Sequence, residues 1–248
     1  MRSTKSMKTA LVTGAYKGLG LEWCRQLGRD GYHVFLTARR IEKAQSAADL
    51  LRQEGVEVVP LAVDVSDEVQ ISSLANQVAA HVGHLDLLIN NAGINSKDDP
   101  NPDTVARSSA LDHLDAEEIL RHLRINSVSP ILMAKHFRPI LKSAERPVIV
   151  SVSSWLGSIA AKNTARGHYA YTTSKAALNM MNRNLAIELA QDGIICLVVN
   201  PGWVRTDMGG CGADLSAEQS VRGLLDRVIQ PATISDTGEF FQWDGTKH

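Results

Sequence analysis

Tyr171 and Lys175 stand four residues apart at the start of a helix predicted over residues 172–191, so both project from one face. A free phenol has a pKa of about 10, too high for ready proton exchange near neutrality. An ammonium beside it stabilises the phenolate and lowers that value. The pair is therefore a candidate proton donor and acceptor. Tyr169 lies close by, but its neighbour four residues on is Thr173, so only Tyr171 has the required partner.

A second constellation lies near the start of the chain. Gly14, Gly18 and Gly20 follow Thr13 in a TGxxxGxG spacing, between an apolar run at 10–12 and an amphipathic stretch carrying Leu19, Trp23 and Leu27. Glycines at a strand-to-helix turn allow a tight bend and close approach of a pyrophosphate, whose charge the helix N-terminus favours. The spacing differs from GxGxxG, and no GxxxxGK[ST] phosphate loop occurs. The second apolar run ends at Arg39, where NAD-binding versions of such a unit carry a carboxylate on the ribose; the first carboxylate here is Glu42. A guanidinium suits a 2′-phosphate, and Lys17 adds a second cation inside the turn, so the expected cofactor is NADP(H). Asp64 has two readings: acceptor for an adenine amino group, or N-terminal cap of the helix beginning near Asp67.

The elements that must hold these residues read as alternating strands and helices. Nearly continuous apolar runs at 10–12, 34–36, 56–63, 85–89, 148–152 and 194–199 predict strands buried on both faces. Helical spacing separates them, including 41–54 and a stripe of Val69, Leu74, Ala75, Val78 and Val82. The pattern predicts one doubly wound Rossmann-type α/β domain over residues 8–248, with a parallel sheet of about seven strands and a short extension at 1–7. Residues 95–109, rich in Asp, Pro, Asn and Ser, read as an exposed loop. Residues 203–213, with three glycines, read as a mobile segment.

Composition narrows the function. With 26 Lys and Arg against 27 Asp and Glu, the net charge of −1 gives no electrostatic case for nucleic acid or an anionic membrane. The longest apolar run is about a third of a membrane span, and no secretory signal opens the chain. Cys24, Cys196 and Cys211 show no metal or disulfide spacing and read as thiols of a cytoplasmic protein. His81 and His84 lack a third ligand, so no metal site is expected.

Taken in order, TGxxxGxG at 13–20, Asn90-Asn91-Ala92-Gly93, Asn126 in Ile-Asn-Ser, Ser154 before Trp-Leu-Gly157, YxxxK at 171–175 and Pro201-Gly202 resemble the short-chain dehydrogenase/reductase family over essentially the whole chain. The stretches 202–210 and 240–245 are more narrowly similar to C-factor and sniffer-type carbonyl reductases. The resemblance implies an NADP(H)-dependent oxidoreductase of carbonyl reductase type. Tyr171 would be its general acid–base, and Ser154 a donor to the substrate oxygen. Lys175 would hold the nicotinamide ribose, and Asn126 would anchor a water linking Lys175 to solvent. Leu19, Val65, Asn91, Ala92, Gly93, Pro201 and Gly202 would line the cofactor site with the glycine turn, and Val204 and Thr206 would hold the carboxamide. Ser154 is chosen over Ser153 because the family places a glycine three residues on, at Gly157. The 17-residue step from Ser154 to Tyr171 is longer than usual, with its surplus in 160–168 at the pocket rim. The expected partner is a small carbonyl or alcohol substrate, with a homo-oligomeric assembly implied by the family. The competing function is dinucleotide-dependent signalling of the C-factor kind, without physiological turnover.

Overall fold

The computed structural model describes residues 7–162 and 168–248. Residues 1–6 of the expected extension and 163–167 of the surplus before Tyr171 lie outside the described residues. The first half comprises β1 (Thr9–Val12), α1 (Gly18–Arg29), β2 (His33–Ala38), α2 (Ile41–Gln53), β3 (Val58–Ala62), α3 (Glu68–His81) and β4 (Leu87–Asn90). Then come α4 (Pro102–Ser109), α5 (Ala116–Leu123), α6 (Ser129–Leu141) and β5 (Val148–Val152). The chain continues through α7 (Tyr169–Leu189), β6 (Ile195–Asn200), α8 (Ala217–Leu224) and β7 (Phe240–Gln242).

All seven strands are parallel, in the order β3-β2-β1-β4-β5-β6-β7, making a single Rossmann-type domain. Successive strand residues face opposite layers. Ala10, Val12, Val34 and Leu36 pack on one side with Trp23, Leu27, Leu51 and Leu224. Leu11, Phe35, Leu88 and Ile149 pack on the other with Ile71, Leu74, Phe137 and Leu189. Helices cover both faces, which is why the strand sequences lack polar alternation. The strand order reverses between β1 and β4, opening a crevice at the carboxyl ends of the strands. No helix among the described residues is long and apolar enough to cross a membrane.

Three sequence expectations need correction. The run 56–63 is not buried throughout: β3 is a sheet edge, and Val59, Pro60 and Leu61 are only partly covered. An edge also tolerates Pro60, which cannot donate to a ladder. Val69 is 78% exposed; the buried stripe of α3 is Ile71, Leu74, Ala75 and Val78. Two positions are about 200° around a helix, so a stripe begun at 69 starts on the wrong face. Residues 95–109 are only in part a loop: 102–109 form α4, which Asn101 caps by accepting from the Asp103 N–H and in which Pro102 occupies the first turn, while 95–101 hold no more than a short turn at Ser96–Asp98.

Between α5 and α6 the helix continues through one π turn, Arg124–Val128, in which the Ser129 N–H reaches back five residues to the Arg124 carbonyl. Such widened turns occur often at functional sites. This one carries Asn126.

Candidate active site

Tyr171 and Lys175 occupy the first turns of α7, and both are buried at the mouth of the crevice. The Lys175 Nζ lies 5.8 Å from the Tyr171 ring centroid and donates to the Val152 carbonyl, the last of β5, at 2.7 Å. Two residues beyond, Ser154 caps the short turn Trp155–Gly157 by accepting from the Leu156 N–H at 3.2 Å. A Cβ on Gly157 would stand 2.8 Å from the Lys175 carbonyl carbon, so only glycine lets this turn rest on α7. The Ser153 hydroxyl points elsewhere, donating to Asn179 Oδ1 at 2.6 Å.

Burial governs the electrostatics. It pushes the Tyr171 phenol up to about 12, with the neighbouring Ser154 hydroxyl pulling the other way. It pulls Lys175 down to about 8, because a buried ammonium loses its hydration. The shift of Tyr171 is thus opposite to that expected from the Tyr–Lys spacing. The physical reason is that burial strips the phenolate of its hydration and no cationic charge offsets this, the Lys175 ammonium being directed at the Val152 carbonyl. In this state Tyr171 is a neutral phenol, and Lys175 is the group whose proton population changes near neutral pH.

Asn126 is almost wholly buried and its side-chain amide is fully engaged. Its Oδ1 accepts from the Ile94 N–H at 2.8 Å, while Nδ2 donates to the Ile94 carbonyl and to Ser174 Oγ, both at 2.9 Å. Ser174 in turn donates to the Tyr171 carbonyl at 2.7 Å, and Ser127 donates to the Ser174 carbonyl at 2.6 Å. The segment held by Asn126 begins at Gly93, where a Cβ would come within 3.3 Å of Asn126 Oδ1 and 3.6 Å of Lys175 Nζ.

The glycine turn sits across the crevice. Gly14 has φ +62°, and a Cβ there would lie 2.9 Å from the Ala92 Cα. A Cβ on Gly20 would lie 2.5 Å from the Gly14 carbonyl oxygen. Thr13 Oγ1 accepts from the Asn91 and Ala92 N–H groups at 3.0 Å, tying the 91–93 loop to the turn. Gly18 opens α1, and Leu19 packs partly buried against the core. No side chain caps the helix at Lys17, so its first-turn N–H groups have no side-chain acceptor among the described residues. An uncapped twelve-residue helix entered through crowded glycines fits a dinucleotide pyrophosphate.

Lys17 and Arg39 are both exposed, but they are engaged differently. Lys17 Nζ meets Asp207 Oδ2 at 2.6 Å, and that carboxylate raises its pKa. Arg39 makes no ion pair among the described residues. Asp64 does not cap α3; Asp67 does, accepting from the Val69 and Gln70 N–H groups. Asp64 Oδ1 instead accepts from the Ser66 N–H and hydroxyl, beside a half-buried Val65.

After β6, Pro201 is buried and its carbonyl accepts from Ser220 at 2.7 Å. Gly202 turns the chain at φ +80°, where a Cβ would strike Leu215. Val204 is buried and bridges Leu215, while Thr206 lies over the glycine turn, its Cγ2 3.4 Å from where a Gly18 Cβ would be. The 203–213 segment is tied together internally. Trp203 Nε1 donates to the Gly209 carbonyl at 2.7 Å, and the Arg205 guanidinium donates to the Ala213 and Asp214 carbonyls at 2.9 Å. Trp155, Ile159, Trp203 and Met208 are all substantially exposed. Among the described residues, no group of His, Cys, Asp and Glu could hold a metal ion.

Sequence reasoning missed the Val152 carbonyl, Ser174 and Asp207. The first is a main-chain group without a side-chain signature. Ser174 was visible inside YxxxK, but the hydrogen bonds it accepts from Asn126 and Ser127 depend on the π turn opposite. Asp207 lies 190 residues from Lys17, and pairing at that range is set by topology.

A doubly wound parallel sheet with a glycine turn at its switch point and a Ser–Tyr–Lys–Asn constellation alongside defines a class of dinucleotide-dependent oxidoreductases. The short chain dehydrogenase family matches residues 8–214, and the chain belongs to it. C-signal of Myxococcus xanthus is 39% identical over 165 residues, which cover 66% of this chain and 92% of that protein. The NADPH-bound carbonyl reductase from chicken fatty liver superposes with a TM-score of 0.86 at 30% identity, covering 98% of each chain. The carbonyl reductase Sniffer of D. melanogaster gives 0.84 at 32% identity, covering 97% of this chain and 98% of that one.

Proposed function

We propose that the chain is an NADP(H)-dependent reductase that exchanges hydride between a nicotinamide and a carbonyl or secondary alcohol, with Tyr171 as general acid–base. The observation that carries this reading is the meeting of Tyr171, Ser154 and Lys175 on one wall of the crevice, opposite the uncapped N-terminus of α1. The bound dinucleotide supplies the hydride and takes it back in the reverse direction. Ser154 donates to the substrate oxygen, where negative charge develops. Tyr171, a neutral phenol, delivers its proton to that oxygen. Lys175 replenishes the proton, because its own pKa lies at about 8. Asn126 fixes the wall against which Lys175 rests, and its expected bridging water belongs to this proposal.

On the cofactor side, Gly14, Lys17, Gly18, Leu19 and Gly20 hold the pyrophosphate, and Arg39 with Lys17 meets the 2′-phosphate. Asp64 and Val65 take the adenine, Asn91, Ala92 and Gly93 the adenosine side, and Pro201, Gly202, Val204 and Thr206 the nicotinamide end. The NADPH-bound avian carbonyl reductase supports this cofactor choice. The exposed apolar rim of Trp155, Trp203 and Met208 supports a substrate with hydrophobic surface. A cytoplasmic location, a homo-oligomeric state and the domain limits 8–248 belong to the same proposal.

The test is NADPH oxidation against a panel of aldehydes, ketones and quinones, with Tyr171→Phe as control. We expect kcat to fall about 100-fold to 10,000-fold while NADPH still binds. Undiminished turnover in that variant would reject the chemistry. The likeness to C-signal favours a second reading, signalling through dinucleotide binding without physiological turnover. It predicts that Tyr171→Phe keeps its biological effect while variants unable to bind the dinucleotide lose it.

A further inference from the structure

A buried polar cluster adjoins the site and takes no part in the chemistry above. His122 is fully buried, and Glu118 and Ser96 are nearly so. Glu118, His122 and Asn126 are spaced four apart, running along one side of the helix into the π turn. The His122 Nδ1 lies 2.9 Å from the Glu118 carbonyl, an acceptor only, so Nδ1 carries the proton and Nε2 is left to accept. Nε2 accepts from the Ser96 N–H at 3.3 Å, and the Ser96 hydroxyl donates to Glu118 Oε1 at 2.6 Å. Residues 93–96 thus form a strap with two grips. Asn126 holds Ile94, the His122–Glu118 pair holds Ser96, and the near end at Gly93 lies against Lys175.

We propose that His122 is a positioning residue of this site: as a neutral imidazole it holds Ser96 and keeps the 93–96 strap in place, and its protonation releases the strap and weakens dinucleotide binding. This rests on the reading of Gly93 as part of the NADP(H) cradle. Protonation puts a second N–H on the ring at Nε2, so its 3.3 Å bond from the Ser96 N–H becomes a clash of two donors, and the ring keeps only the weaker contact to Ser96 Oγ at 3.4 Å. The surrounding charges are mixed. Glu118, on the same helix, favours the imidazolium, whereas Arg121 beside it and Lys175 from α7 oppose it. From α4, Arg107 is paired with Asp115 at the start of α5. Burial outweighs these charges and lowers the His122 pKa from its ordinary 6.5, so the strap is held at neutral pH and lost only in acid.

The test measures NADPH dissociation constants from about pH 8 to about pH 5 for the wild type, His122→Gln and His122→Leu. Gln keeps an acceptor for the Ser96 N–H and cannot be protonated. The ratio of His122→Gln to wild-type affinity cancels the 2′-phosphate's own titration. We expect that ratio to be near one at pH 8 and to rise about 10-fold in acid, with His122→Leu about 10-fold weaker than wild type at pH 8. A flat ratio overturns the proposal, as does a folded His122→Leu that binds like the wild type. Amide exchange of residues 93–96 without cofactor, corrected for intrinsic rates, gives an independent reading. It should quicken in acid in the wild type and not in His122→Gln; equal protection in both overturns the proposal. Failure of the wild type to bind NADPH would reject the cofactor reading, leaving the exchange result to decide the role of His122.

Discussion

Asn126 grips Ile94 by both of its main-chain polar groups, accepting from the N–H at 2.8 Å and donating to the carbonyl at 2.9 Å. A primary amide can do both, whereas a carboxylate can only accept. Asn126→Asp should therefore strand the Ile94 carbonyl and remove the donor to Ser174. We expect a loss of about 2–4 kcal/mol of stability, read as a lower urea midpoint with an unchanged slope. A midpoint equal to that of the wild type would show that the grip contributes nothing.

Lys175 sets the expected pH dependence. Its pKa lies at about 8 against 10.5 for a free lysine, so it loses its proton as pH rises through 8. NADPH-driven reduction should decline across that range, and Lys175→Met should abolish the limb together with most of the rate. Stability has the opposite slope. Above pH 8 the unfolded chain holds the Lys175 proton and the folded chain does not, so this group's contribution rises between pH 8 and 10.5. Tyr171, with its pKa raised from 10 to about 12, works against stability above pH 10. Urea titrations at two alkaline pH values, with Lys175→Met for comparison, separate the two slopes.

Cofactor choice is tested at Arg39 and Lys17. Each alanine substitution should weaken NADPH binding about 10-fold or more while changing NADH binding much less, because a charge-assisted contact to phosphate is lost. Asp207→Asn should act in the other direction, freeing Lys17 from its 2.6 Å partner and tightening NADPH. The ion pair is largely exposed, so the same variant should leave the melting temperature nearly unchanged. Calorimetric titration with both dinucleotides checks all three; equal losses for both would remove the 2′-phosphate assignment.

Gly14 and Gly31 make a controlled pair. Both have positive φ, at +62° and +83°, but a Cβ at Gly14 meets the Ala92 Cα at 2.9 Å and one at Gly31 meets nothing within 4 Å. Alanine at either site should cost about 1–2 kcal/mol for the left-handed backbone. Only Gly14→Ala should also displace the 91–93 loop and lose dinucleotide binding, measured by quenching of protein fluorescence. Equal binding in the two variants would show that the Ala92 contact is dispensable.

The architecture was legible because both faces of a parallel sheet are covered, which writes long apolar runs into the sequence. The glycine turn and the YxxxK pair were legible because each is local: one turn of chain, one turn of helix. Helix phase was less so, since Val69 is as apolar as Ile71 and only packing decides between them. Composition misread residues 102–109, where polar residues chosen for capping look like those of a loop. Asp64 and Asp67 were confused because both are good caps, and hydrogen-bond geometry alone tells them apart. The Ser96–Glu118–His122 cluster left no readable trace, because three separated polar residues gain meaning only once the strap crosses the helix.

The π turn at Arg124–Val128 also fixes the register of everything after it. Closing it into an ordinary helical turn without removing a residue would rotate α6 by about 100° relative to α5. Met133, Phe137 and Leu141, now against the sheet, would swing aside while Glu118 and His122 stayed where they are. The extra residue and the widened turn therefore go together: removing one residue lets the turn close with α6 still in phase, and what is lost is the placement of Asn126 against Ile94 and Ser174.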